Sequence, residues 1–263
     1  MSDVLGSQRR PYGASRAQFR PSAIFLALTG LFVASGALVW FRIGNVRFEV
    51  FLFVVAGWLV SLCLHEYAHA ITAYHGGDRS VADRGYLTLD PVKYTHPFLS
   101  FVLPLLFVVL GGIGLPGGAV WVDRHAIRSR GWDSFISFAG PATNLLFTFA
   151  LVIPLTIAAD PGTHLEFWAA LAFLAFLQLT ASILNFVPIP GVDGGNLIEP
   201  WLNPQWKRGF AHVAPYGMLL LIALLWTPAI NVLFFNFVYF VGDLLGLPSG
   251  LAAVGYQLFR FWS

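Results

Sequence analysis

Charge is what this chain has least of. Of 263 residues only 11% are charged, 15 Lys and Arg against 13 Asp and Glu, where an ordinary soluble domain carries about a quarter. A water-soluble fold with so few charges could not cover its own surface, so soluble globular, disordered, collagen-like and coiled-coil classes are excluded. The net charge of +2 is spread along the chain rather than striped, which excludes a nucleic-acid-binding face. Cysteine is nearly absent as well. A single one, Cys63, forbids any intramolecular disulfide. What is abundant is apolar: 57% hydrophobic and 16% aromatic residues, the composition of a polytopic α-helical membrane protein.

Residues 1–20 are polar, with Arg9, Arg10, Arg16 and Arg20 against Asp3. The pattern predicts a flexible arm on the cytoplasmic side. The apolar run 22–41 is expected to be an uncleaved first span rather than a signal peptide. Its small residues Ala34-Ser35-Gly36 lie mid-way along it, and Trp40 and Arg42 close it like an interface. Further spans are expected at about 49–74, 134–159 and 166–187. A last apolar region at 213–242, broken by Pro228, reads as a kinked span or a hairpin. That makes five to six transmembrane helices, in four regions: the arm 1–20, a first span and loop 21–48, a catalytic core 49–199 and a C-terminal membrane region 200–263. No repeat and no inserted soluble domain is visible.

The segment 97–118 is apolar but broken by Pro104, Gly111-Gly112, Gly114, Pro116 and Gly117-Gly118. If it crossed, the loop bearing Arg124, Arg128 and Arg130 would lie outside and the acidic loop with Asp160 and Glu166 inside. Both placements oppose the positive-inside bias. A re-entrant segment puts both loops where they belong, and irregular backbone at membrane depth is tolerated where protein or water buries it.

The second span contains Leu64-His65-Glu66-Tyr67-Ala68-His69, an HExxH pattern. On a helix, positions i and i+4 lie about 40° apart and about 6 Å along the axis. His65 and His69 can therefore share one zinc ion, with Glu66 beside it as general base. The bland alternative is a polar cluster that only braces the bundle, but an ionisable triad inside a span is expensive unless it has a function.

A catalytic zinc takes three protein ligands and one open position, and three sources compete for the third. His75 would complete HExxHxxTxxH, but Thr72 stands where a helix-breaking glycine is needed, so His75 should fall on another face. Asp78, Asp83 and Asp90 share their loop with Arg79, Arg84 and Lys93 and read as solvated loop charge. Asp193 follows a span in Asn185-Phe-Val-Pro188-Ile-Pro190-Gly-Val-Asp193-Gly194-Gly195. Its prolines end a helix and its glycines permit a tight turn back into the bundle, although an Asp-Gly pair is also an ordinary turn.

HExxH in an apolar helix, Gly140-Pro141-Ala142-Thr143-Asn144 in a later segment and NxxPxPxxDGG after the next span together resemble the site-2 protease family of intramembrane zinc metalloproteases. The resemblance covers about 49–199. Two departures are small: Ala68 stands where glycine is frequent, and Val192 where leucine is usual. The resemblance implies His65, His69 and Asp193 as zinc ligands and Glu66 as catalytic base. It also implies Asn144 as a substrate- or oxyanion-binding residue.

Metal geometry then agrees with the loop charges. Were 97–118 to cross fully, Asp193 would emerge about 30 Å from the histidines. A substrate helix must also unwind before cleavage, and Ala119-Val120-Trp121-Val122 is the candidate edge strand to hold it. A plain re-entry shoulder is the competing reading of those four residues.

The expectation is an all-α polytopic membrane protein with a re-entrant segment near 97–118 and room for a short β element. It carries one Zn2+ per chain, lies in the cell membrane with its N-terminus and active site toward the cytoplasm, and acts on transmembrane or membrane-tethered protein substrates. The competing functions are a catalytically silent membrane-protein binder of the same fold and a zinc hydrolase of a non-peptide bond.

Overall fold

The computed structural model describes residues 16–94, 106 and 120–262. The expected re-entrant segment lies outside the described residues except for Leu106, as do Ala119 and most of the N-terminal arm. Residues 16–20, expected within a flexible arm, instead open with a single 3₁₀ turn, Arg16–Phe19. The Phe19 ring meets Tyr74 edge-on at 5.7 Å, so this stretch is docked by its one aromatic side chain.

The protein is an all-α polytopic membrane protein. Among the described residues no strand occurs, and six helical stretches are long and apolar enough to cross a bilayer. Helix α1, Ala23–Phe41, starts on a Ser22 side-chain cap. Helix α2, Val46–Gly76, starts on Asn45 in the same way. That cap, with Arg47 and Glu49 in the first turn, carries α2 beyond the expected apolar limits of 49–74. At 31 residues it is about 46 Å long, well over the ~30 Å of hydrocarbon. His65 lies about 28 Å along it, so its chemistry sits near one membrane face rather than at mid-depth.

A one-turn α3, Ser80–Asp83, follows. Then come α4, Arg130–Ile157, capped by Ser129, and α5, Pro161–Asn185, capped by Asp160 with Pro161 in its first turn. Those polar caps explain why both begin before their apolar runs. From Trp168 to Ser182 every residue of α5 is buried. It is the central post of the bundle, because a helix apolar all round must be covered on every side. Small residues let the neighbours close on one another. A Cβ built on Gly57 of α2 would stand 2.6 Å from the Leu174 side chain and 2.7 Å from Phe32.

The C-terminal part comprises short α6, Asp193–Ile198, then α7, Pro204–Val213, and α8, Gly217–Trp226. Helix α9, Pro228–Leu245, follows a break at Thr227, since Pro228 can begin a helix but not continue one. Helix α10, Ser249–Phe259, had no sequence signal as a span. Its 11 residues reach only about 16 Å, yet it packs tightly on α5, with Phe259 fully buried. At the membrane face away from the histidines, Arg42 pairs with Glu166 at 2.8 Å. Trp40 stacks there on His164, centroids 3.7 Å apart. This is an interfacial belt of aromatic and charged side chains.

Candidate metal centre

Helix α2 places His65 and His69 one turn apart on its buried face, where they are 4% and 8% exposed. Their Nε2 atoms stand 3.0 Å apart. Asp193, the first residue of α6, brings Oδ2 to 3.3 Å from each of them. Nitrogen and oxygen ligands in a tetrahedral zinc shell, with bonds of about 2.0–2.2 Å, stand about 3.3 Å apart. The three atoms therefore have the spacing of three corners of such a shell, and the fourth corner faces a cleft. This group is the candidate metal-holding cluster among the described residues.

Several local features aim these atoms. The Ile136 carbonyl of α4 can only accept, so the 2.7 Å contact with His69 fixes that ring with its proton on Nδ1. Nε2 is left with a lone pair for a metal. The His65 Nδ1 is buried with no partner among the described residues. Gly140 supplies the space around both rings: a Cβ there would overlap His69 Nε2 and lie 2.6 Å from His65 Nε2. Only glycine leaves room where the ligands converge.

Asp193 is aimed by the loop before it. Helix α5 ends on Phe186, and Pro188 and Pro190 prevent its continuation. The next two residues after the aspartate must be glycine, because a Cβ on Gly194 or Gly195 would overlap the carbonyls of Phe186, Val187 or Ile189. Ser134 of α4 donates to the Leu197 carbonyl at 2.7 Å and accepts from Trp201 Nε1 at 2.8 Å, which docks α6 onto α4.

Glu66 is 2% exposed. Its Oε1 lies 4.0 Å from His65 Nε2, beside the ligand cluster rather than within it. The backbone N–H of Val120 donates to its Oε2 at 3.1 Å. The cleft, about 150 Å³, is lined by His65, Glu66, His69 and Asp193 together with Val120, Val122, Ser137 and Asn185.

The other expected positions divide. Thr72 continues the helix, its hydroxyl bonded to the Ala68 carbonyl at 2.6 Å. His75 accordingly lies on an exposed face, hydrogen-bonded to Ile71. Asp78 corrects the reading of solvated loop charge: it is 1% exposed and accepts three hydrogen bonds. The reason is that the chain folds straight back after α2, and Asp123 lends the carboxylate a backbone N–H that no local pattern reveals. Asp83 is exposed, and Asp90 caps the turn at Val92. Asn144 is 5% exposed, one turn beyond Gly140 on α4, with no partner for its Oδ1 among the described residues, and it does not line the cleft. Asn185 does. Its place at the head of the NxxPxPxxDGG run was the available signal, without a role attached. Val120, Trp121 and Val122 lie in irregular backbone between two membrane helices, and no ladder partner for them occurs among the described residues.

Relatives extend this reading. The chain is 49% identical over 252 residues, 94% of its length and 96% of the relative's, to a Mycolicibacterium smegmatis protein named "Putative zinc metalloprotease Rip2". A Mycobacterium tuberculosis H37Rv protein of the same name is 48% identical over the same span. "Putative zinc metalloprotease YwhC" of Bacillus subtilis 168 is 28% identical over 184 residues, 67% of this chain and 81% of that one. No family model matches the chain, and no solved structure does.

Proposed function

This chain belongs to the site-2 protease family of zinc metalloproteases, and from that premise we propose that it is an intramembrane endopeptidase. It cleaves peptide bonds of transmembrane or membrane-tethered protein substrates in regulated intramembrane proteolysis. One observation carries the reading. Two histidines and a separate buried glutamate on a helix long enough to span the bilayer converge with Asp193 of α6 on one cleft.

His65, His69 and Asp193 hold one zinc ion per chain, and their 3.0–3.3 Å spacing fits it. When bound, zinc polarises the scissile carbonyl and makes water acidic enough to attack near neutral pH. Glu66 takes the proton from the attacking water and passes it to the leaving amine. Its Oε2 is held by the Val120 N–H, which leaves Oε1 on the histidine side for proton transfer. Substrate or oxyanion binding falls to Asn185, which lines the cleft, while Asn144, expected in that role, lies off the cleft. An unwound substrate strand would lie against Val120 and Val122, which line the cleft. The protein lies in the cell membrane with its N-terminus and cleft toward the cytoplasm, a reading supported by the positive-inside bias of the Arg-rich arm and of the loop with Arg124, Arg128 and Arg130.

The test is a tagged helical substrate in proteoliposomes with wild type or Glu66→Gln, products read by mass spectrometry and zinc measured in parallel. The reading expects peptide cleavage by wild type and loss of about 10²–10⁴-fold in the variant with zinc retained. Full function in a zinc-loaded Glu66→Gln protein would make the chain a silent binder. Lipid products in place of peptides would make it a hydrolase of another bond.

A further inference from the structure

Asp78 has no place in the chemistry above, yet it is among the most deeply buried acids in the protein, 1% exposed. Among the described residues no cation pairs with it. A buried carboxylate persists without a counter-charge only where hydrogen bonds meet it. Here Oδ1 accepts from the Ser80 N–H at 2.9 Å and the Ser80 hydroxyl at 2.7 Å. Oδ2 accepts from the Asp123 N–H at 2.8 Å. The first two bonds hold the carboxylate at the end of α2, where the Asp78 N–H also returns to the Ala73 carbonyl at 3.0 Å. The third reaches across 45 residues to the segment that precedes α4.

That segment runs over the cleft. Val120 and Val122 line it, while Trp121 between them lies under the Arg84 guanidinium, 4.0 Å from its ring centroid. Val120 and Val122 thus face the cleft while Trp121 faces Arg84. Three residues before the Asp78 anchor, the Val120 N–H meets Glu66. Further on, Arg124 pairs with Asp133, and the Arg128 N–H reaches the Gly76 carbonyl at 2.9 Å. Helix α2 carries both ends of the arrangement: Glu66 in the cleft, and Asp78 just past its C-terminus. A shift of the strap relative to α2 would carry the Val120 N–H away from the carboxylate.

We propose that Asp78 is a positioning residue of the active site: its carboxylate anchors the strap 120–123 in register with α2, so that the Val120 N–H orients Glu66. The inference rests on the protease reading of Glu66, and its test separates the two. Asp78→Asn keeps the size of the side chain but cannot accept at both ends. Asp123→Pro deletes the donated N–H at a φ of −76° that proline adopts.

Full-length wild type, the two single variants and the double are compared, zinc-loaded, in proteoliposomes. Each single variant should keep its zinc stoichiometry and lose about tenfold in kcat, with KM changed much less. Each should also be cut faster by added trypsin after Arg124 and Arg128. The double should be no worse than Asp123→Pro alone, which removes the shared Asp78–Asp123 bond and also the Asp123 cap on the His125 N–H. Losses that multiply in the double, a wild-type trypsin pattern, or loss of zinc from Asp78→Asn would overturn the proposal. The trypsin comparison needs no turnover, so a wild type that cleaves no peptide defeats the protease reading while the anchor is still decided.

Discussion

Replacing Gly140 by alanine should remove zinc without weakening the helix that carries the substitution. In a helix interior this change ordinarily stabilises by up to ~1 kcal/mol, so a loss of function cannot come from α4 itself. The added methyl carbon would stand 2.6 Å from His65 Nε2 and overlap His69 Nε2, where an ordinary carbon–nitrogen contact is roughly 3.4 Å. At least one ring must swing away by nearly an ångström, several times the ~0.2 Å tolerance of a metal–ligand distance. His69 has least freedom to follow, because its other nitrogen is tied to Ile136.

A hundredfold loss of zinc affinity is a conservative expectation, the upper end of what outer-shell changes alone produce. With free zinc at 100 times the wild-type Kd, the metal stabilises wild type by about 2.7 kcal/mol and such a variant by about 0.4. Thermal unfolding with and without a chelator should therefore show a metal-dependent increment about 2.3 kcal/mol smaller in Gly140→Ala, a difference within each protein in which the ring crowding, itself a cost of about 1–3 kcal/mol, cancels. Elemental analysis after dialysis should find the variant depleted. A Gly140→Ala protein holding one zinc with an unchanged chelator response would refute the assignment of this space to the metal.

Other outcomes follow from the same geometry. Asp193→Ala should lose zinc by more than the ~10–100-fold typical of outer-shell changes, read by equilibrium dialysis. An undiminished stoichiometry would remove Asp193 from the ligand set. Ser61 and Gln178 hydrogen-bond to each other deep in the bundle, 2% and 1% exposed. Ser61→Ala should cost about 1–3 kcal/mol by orphaning the carboxamide, while Ser61→Ala with Gln178→Leu should recover most of that. Unfolding in detergent would count against this if the double variant proved less stable than the single.

The scarcity of charge that marks this chain as a membrane protein also isolates its site, and here sequence reaches far. Apolar runs locate α1, α2, α4 and α5 to within a few residues, because the bilayer demands long unbroken helices and polar caps only adjust their ends. His65, Glu66 and His69 are legible for a local reason: helical periodicity alone puts two imidazoles on one face. Asp193 is different. Its Asp-Gly turn is commonplace by itself, and only a resemblance among three separated motifs singled it out. Helix α10 had no such help, since an 11-residue apolar stretch does not distinguish a buried helix from an interfacial one.

What the sequence determined by itself is thus whatever depends on neighbours within a turn or on the thickness of the membrane: the solvent the chain folds in, its spans and the paired histidines. What the tertiary structure decided involves groups brought together over long separations. The Asp193 oxygen lies 3.3 Å from nitrogens more than a hundred residues earlier. Gly140 matters because of the rings opposite it, and Asp78 is buried because Asp123 returns to meet it. The physical reason is common to all three. A hydrogen bond, a ligand corner or an excluded methyl group is a property of two surfaces in contact, and a single stretch of chain encodes only one of them.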